Sequence, residues 1–128
     1  MEVNKMLEMV ANFMKACDQG VNDKPVVQDQ NTISLRYHLM SEENREYMVA
    51  GIQEDKVEIL DALIDQAYVL FGTINAHGMQ KEFIEGFRLV HENNMTKVQE
   101  NGKVLKDASG KVLKPQGYQK VDLRQLIK

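Results

Sequence analysis

The 128-residue chain has no tryptophan, one cysteine and two prolines, and aromatic residues make up only 6% of it. A single cysteine excludes an intramolecular disulfide. No apolar run approaches the roughly 20 residues that span a bilayer, so no membrane segment is expected. Neither Gly-x-x-x-x-Gly-Lys-Ser/Thr nor Gly-x-Gly-x-x-Gly occurs, which removes both common phosphate-cradling loops. None of His38, His77 or His91 has a glutamate three residues before it, and a helical di-iron centre commonly needs that pair. The first residues, Met1 to Lys5, run straight into an amphipathic pattern without a basic start and apolar block, so a cytoplasmic location is expected.

What remains, 43% hydrophobic and 27% charged residues, is the composition of one ordinary globular domain over residues 1–128. A helical chain of this size often completes its core with a second copy, so a homodimer or homotetramer is expected. The net charge of −3 is unevenly spread. Residues 1–95 hold 8 Lys/Arg against 16 Asp/Glu, whereas residues 96–128 hold 8 against 3. An acidic body followed by a basic segment suits either a nucleic-acid tail or a device that holds phosphates beside an acidic metal site.

Val3, Met6, Leu7, Val10, Phe13, Met14 and Cys17 recur at spacings of three and four, which predicts a first helix over 3–17 with Cys17 buried on its apolar stripe. Residues 18–31 gather Gly, Pro, Asn and Asp and predict a loop, with the second helix capped near Thr32 or Ser34 and running to about Ala50. A turn at 51–55 leads to a third helix from about Asp55 to Asn75, and Gly78 separates it from a fourth over about 80–93. Beyond Asn94 the period disappears. Two near-copies of Gly-Lys-Val-Leu-Lys, at 102–106 and 110–114, predict a short β-hairpin or an extended arm. The expected fold is all-α, an antiparallel four-helix bundle (body about 1–95) with a C-terminal arm (about 96–128).

Helical phase of about 100° per residue brings Leu35, Leu39, Glu43, Glu46 and Ala50 onto one narrow stripe. The glutamates therefore continue an apolar face. In the third helix Glu58, Asp61 and Asp65 share a stripe with Tyr68 and Gly72, while Glu42 lies at the edge of the first ladder. Carboxylates on a packing face are costly to desolvate and repel one another, so they need cations. Mg²⁺ fits, because it takes oxygen ligands and keeps waters and substrate phosphate in its shell; Mn²⁺ is its natural substitute.

At these residues the sequence resembles the MazG-like all-α nucleoside triphosphate pyrophosphohydrolases, which include the dimeric dUTPases and phosphoribosyl-ATP pyrophosphohydrolase. Their pattern is Glu-x-x-Glu on one helix and Glu-x-x-Asp on the next. Glu43-Asn44-Arg45-Glu46 matches the first half. For the second half two registers compete: Glu58-Ile59-Leu60-Asp61 matches by letter, while Asp65-Gln66-Ala67-Tyr68-Val69-Leu70-Phe71-Gly72-Thr73 is similar to the family's Asp-x-x-Tyr-Val-x-x-Gly-Thr, a register that puts Ala62 where the motif has glutamate. Asp23-Lys24-Pro25, His91-Glu92-Asn93-Asn94-Met95-Thr96-Lys97 and the arm ending in Asp122-Leu123 also resemble family segments.

The resemblance implies Mg²⁺ on Glu43, Glu46, Glu58, Asp61 and Asp65, and hydrolysis of a nucleoside triphosphate between the α- and β-phosphates. It suggests a deoxynucleotide substrate. Such a reaction needs charge neutralisation and an oriented water rather than a covalent nucleophile. Glu46 is the candidate general base, with Glu43 beside it, and Asn94, Lys97, Lys111, Lys114 and Tyr118 are candidate contacts to phosphates or base. The alternative, a non-catalytic bundle that binds nucleotide or nucleic acid through the basic arm, meets an acidic body that repels a phosphate backbone and has only Tyr118 as an aromatic among its five lysines from 103 to 120.

Overall fold

The computed structural model describes residues 1–127. Its elements are α1 (Val3–Ala16), α2 (Gln30–Ile52), α3 (Lys56–His77), α4 (Gln80–Met95) and a 3-10 turn, Leu123–Gln125. The all-α class is thus what forms, and no strand occurs among the described residues. The chain divides into two compact units, Met1–Gln80 and Lys81–Lys128.

In the first unit, α2 and α3 form the principal pair, and α1 lies on α3. The α2–α3 connection is short because Asp55 ends it: its side chain accepts from the backbone N–H of Val57 and of Glu58, each at 3.1 Å. Two of the four unpaired donors that open α3 are thereby satisfied. Asp29 does the same for α2, accepting from Thr32 N–H at 2.8 Å. The cap is therefore Asp29 and not Thr32 or Ser34, because its carboxylate reaches the free amides from one position before the helix. At the other end α2 continues through Gly51 to Ile52.

Val10, Met14 and Ala76 form the buried centre, with Val21 and Phe71 packed against them. Cys17 is exposed, a correction to the expectation that it shares this core. The helix ends at Ala16, so the apolar stripe loses its phase one residue before the thiol.

The loop between α1 and α2 returns to close the end of α3. Asn22 Nδ2 and Gln28 Nε2 donate to Ala76 C=O at 2.7 and 2.6 Å, Asn22 N–H to Asn75 C=O and Val26 N–H to His77 C=O, both at 2.9 Å. The carbonyls that a helix leaves unpaired at its C-terminus are answered by a segment some fifty residues earlier. Gly78 ends α3 with φ +64°, and a Cβ there would lie 2.2 Å from Lys24 C=O. Only glycine fits both the left-handed backbone and the loop that crosses it. Asn75, almost fully buried, donates through Nδ2 to Leu7 C=O at 2.9 Å and accepts at Oδ1 from Gln80 Nε2 at 3.1 Å.

In the second unit, Leu123 and Leu126 pack on the buried Gly86 of α4. The repeated Gly-Lys-Val-Leu-Lys segments meet antiparallel through a single bridge, Lys106 to Val112, and Leu113 N–H donates to Leu105 C=O at 2.8 Å. Asp107 organises the turn, its carboxylate accepting from the N–H of Ser109 and of Lys111. The ladder stops after one bridge, so the arm carries a hairpin-like bend without strands.

Candidate metal centre

Two facts of the α2–α3 pair decide where the carboxylates lie. The helices run antiparallel, and Gln66 of α3 donates from Nε2 to Asn44 Oδ1 of α2 at 3.0 Å. These residues neighbour Asp65 and Glu43 in sequence, so the bond sets the helices in register at the carboxylates. Glu43, Glu46 and Asp65 each present a carboxylate oxygen within 4.8 Å of the other two. Glu43 and Asp65 are half-buried and Glu46 is exposed.

No ion pair among the described residues involves these three groups. Glu43 Oε2 is sealed from solvent and has no hydrogen-bond partner among the described residues. Burial therefore pushes the Glu43 carboxyl up to about 7, helped by a hydrogen bond with Glu46 and by the charges of Glu46, Asp65 and Asp61. The Asp65 carboxyl is also raised, first by burial and then by Asp61 and Glu46. An ionised cluster of this kind lacks a positive partner. Its donors are all oxygen, and a hard divalent cation would supply both the missing charge and the missing partner of Glu43 Oε2.

Asp61 and Glu58 lie outside the three-carboxylate cluster but line a cleft of about 230 Å³ that borders it, together with Arg45, Glu46, Ala50 and Ala62. Asp61 is close enough for its charge to raise both Glu43 and Asp65. Ala62, at the position of the motif glutamate, is buried and small, so position 62 itself contributes no carboxylate to the cleft that Glu58 and Asp61 line. Of the two competing registers, the one headed by Asp65 gives the close contact across the helices.

The remaining candidates belong to the second unit. Lys97 Nζ donates to Asn94 Oδ1 at 3.1 Å and sits 5.1 Å from the centre of the Tyr118 ring; Lys114 Nζ lies 5.8 Å from the same centre. Asn93 Nδ2 donates to Tyr118 Oη at 2.8 Å and fixes the ring. Two of the candidate lysines, Lys97 and Lys114, thus gather on the candidate Tyr118, and Asn94 is bonded to Lys97. Lys111 is recorded in the bend, where its N–H donates to Asp107.

One residue escaped the sequence reading. Arg36 lies one turn before Met40 and two before Glu43, so it continues the carboxylate stripe, and the spacing of seven was the available signal. It was obscured because a single arginine at a helix start resembles any solvated charge.

An antiparallel helical pair carrying Glu-x-x-Glu on one helix and an aspartate facing it on the next defines an all-α architecture centred on a carboxylate cluster. The family model described as phosphoribosyl-ATP pyrophosphohydrolase matches residues 10–94, and the chain belongs to that family, within the MazG-like all-α pyrophosphohydrolase superfamily. No curated protein matches the sequence.

Proposed function

We propose that the protein is a Mg²⁺-dependent nucleoside triphosphate pyrophosphohydrolase that cleaves between the α- and β-phosphates, releasing a nucleoside monophosphate and pyrophosphate. The observation that carries this reading is the buried Glu43 Oε2, unpaired among the described residues, in a carboxylate that α2 holds against Glu46 and against Asp65 of α3. Glu43, Glu46 and Asp65 would hold the ion, with Asp61 and Glu58 completing its outer oxygen donors. Mg²⁺ bound there supplies charge neutralisation for the phosphoanhydride.

The residues of the chain then have separable tasks. Glu46, exposed at the edge of the cluster, accepts the proton of the attacking water. Glu43 and Asp65, half-buried and braced by the Asn44–Gln66 bond, fix the position of the site. Lys97, Lys111 and Lys114 neutralise phosphate oxygens, Asn94 orients Lys97, and the Tyr118 ring offers a face to the base. A deoxynucleoside triphosphate is the proposed substrate.

The functional unit is proposed to be a homodimer or a tetramer of such pairs. Val57, Leu60 and Ile64 of α3 are 74%, 59% and 54% exposed, and Phe13 of α1 is 55% exposed. One helix that presents so many large apolar side chains to water is the kind of surface that a second copy covers. Light scattering reads the assembly directly.

The decisive assay incubates the purified protein with each common ribo- and deoxynucleoside triphosphate, and with phosphoribosyl-ATP, with and without Mg²⁺. Pyrophosphate release that depends on the ion is expected. Release of single phosphate, or turnover indifferent to divalent ions, would overturn the proposal.

A further inference from the structure

Arg36 is held between α2 and α3 and has no anionic partner among the described residues. Its Nε is sealed from solvent and unpaired among the described residues, and Nη2 donates to Gln19 Oε1 at 3.2 Å. The guanidinium lies over Gly72 of α3, where a Cβ would stand 2.6 Å from Nη1. Any larger residue at 72 would displace the arginine, so the absence of a side chain there is what lets the charge enter the helical seam. Burial lowers the pKa of the guanidinium, yet a group of this kind stays protonated.

A half-buried guanidinium beside an acidic protein body would be expected to find a carboxylate, and among the described residues this one has none. Arg36 also borders a cleft of about 250 Å³ with Ile33, Tyr37, Met40, Thr73 and His77. That volume falls below the roughly 300–1,000 Å³ of sites that enclose a whole small-molecule ligand, but it suits a single oxyanion group. The planar fork of arginine matches phosphate oxygens in two-point geometry.

Position narrows the ligand. Arg36 precedes Glu43 by seven residues on α2, and Gly72 follows Asp65 by seven on α3, so the guanidinium lies about 10 Å along the helical pair from the carboxylate layer. A polyphosphate whose reacting end rests at the carboxylates extends in the direction of this charge. We propose that Arg36 binds the distal phosphates of the substrate, holding the pyrophosphate that leaves; this assignment rests on the hydrolase reading above. Gln19 positions the guanidinium from the loop after α1, and Gly72 makes its room.

The test uses the full chain with Arg36→Met, which keeps a long flexible side chain without charge, and Arg36→Lys, which keeps charge without the fork. Inorganic pyrophosphate is titrated calorimetrically in the presence of Mg²⁺, and KM and kcat are measured for the best triphosphate. For Arg36→Met, pyrophosphate affinity is expected to fall at least about tenfold, as for loss of a charged hydrogen-bonding partner, with KM rising in parallel. Arg36→Lys should lie between. The melting temperature of ion-free Arg36→Met should match or exceed that of the unmodified protein, while the rise on adding Mg²⁺ alone persists. A purely structural arginine predicts the opposite pattern: lower stability with unchanged pyrophosphate affinity and KM. Weakened pyrophosphate binding with an unchanged KM would mean an anion separate from the substrate and would also overturn the proposal. If the unmodified protein hydrolyses no triphosphate, the hydrolase reading fails, while the pyrophosphate titration still reports on Arg36.

Discussion

Glu43 on α2 and Asp65 on α3 face each other across an antiparallel helical pair, each half-buried, with carboxylate oxygens within 4.8 Å. Both acids are pushed toward their protonated forms by burial first and by neighbouring carboxylates second. Two like charges brought together by helix packing oppose folding unless something positive joins them. The contact therefore has opposite consequences for stability and for the proposed activity.

Glu43→Gln separates those consequences. The amide keeps the shape of the side chain and removes one repelling charge, so the ion-free protein should gain about 1 kcal/mol near neutral pH, a figure discounted for the partial exposure of the group. Activity should fall at least about a hundredfold if the carboxylate holds the ion. Chemical denaturation and pyrophosphate release, measured on the same preparation, check both halves; a variant that turns over normally would remove Glu43 from the site.

The pH dependence has a definite sign. Burial pushes the Glu43 carboxyl in the folded protein up to about 7 from its ordinary 4.5. A carboxyl whose pKa is raised by folding stabilises the protein fully below its unfolded pKa, and that contribution is lost as pH rises through the folded value. Asp65 acts in the same direction. Without divalent ions, the contribution of these groups should thus decline between about pH 4.5 and 7, and Mg²⁺ should restore stability most strongly above that window. Melting curves across pH with and without Mg²⁺ measure the difference. An equal Mg²⁺ effect at pH 4.5 and 8 would disconnect the ion from the cluster.

Helical phase put Glu43 and Glu46 on one stripe and Asp65 on another, and these three meet across the helices, whereas Glu58 and Asp61 of the same expected ladder are exposed and stay outside the cluster. Periodicity likewise located all four helices to within a few residues. Helix ends were less legible, since Asp29 caps α2 through a bond to Thr32 that competes with equally plausible caps at Thr32 and Ser34. The exposure of Cys17 depends on the helix stopping one residue short, which no periodic count reports. The role of Gly72 was hidden as well, because a glycine inside a helix gains its meaning only from the arginine that another helix lays over it.

Ala62→Glu places a carboxylate where the family motif has one. The site is buried and borders the cleft shared by Glu46, Glu58 and Asp61, so the new acid adds to an uncompensated cluster. The ion-free protein should lose stability by roughly 1–3 kcal/mol, and Mg²⁺ should bind more tightly. Thermal shift against Mg²⁺ concentration reads both. Weaker Mg²⁺ binding would mean that the cleft at Ala62 is not directed at the ion.

Gly78→Ala tests the closure of α3 by the loop. A Cβ at this position would enter a left-handed backbone and lie 2.2 Å from Lys24 C=O, so the loop must move away from the helix end it caps. The loss should reach about 3 kcal/mol, combining backbone strain with the hydrogen bonds of Asn22, Val26 and Gln28 to the last carbonyls. Urea denaturation measures it, and a loss under half a kcal/mol would show that the loop adapts freely.

The basic arm carries the last prediction. Lys97 and Lys114 both lie over the Tyr118 ring, whose hydroxyl is fixed by Asn93. If this cluster neutralises the substrate's phosphates, Lys114→Ala should raise KM several-fold with a smaller change in kcat, because positioning contacts are lost while the carboxylates stay intact. Tyr118→Leu should weaken both lysine positions together and exceed the single lysine change. Raising the salt concentration should increase KM for the unmodified protein more than for Lys114→Ala, since exposed charges are screened. Steady-state kinetics at two ionic strengths decide the matter. A nucleic-acid arm would leave hydrolysis untouched by these substitutions and would instead lose a salt-sensitive affinity for DNA or RNA, so unchanged KM values in both variants would remove the arm from the proposed reaction.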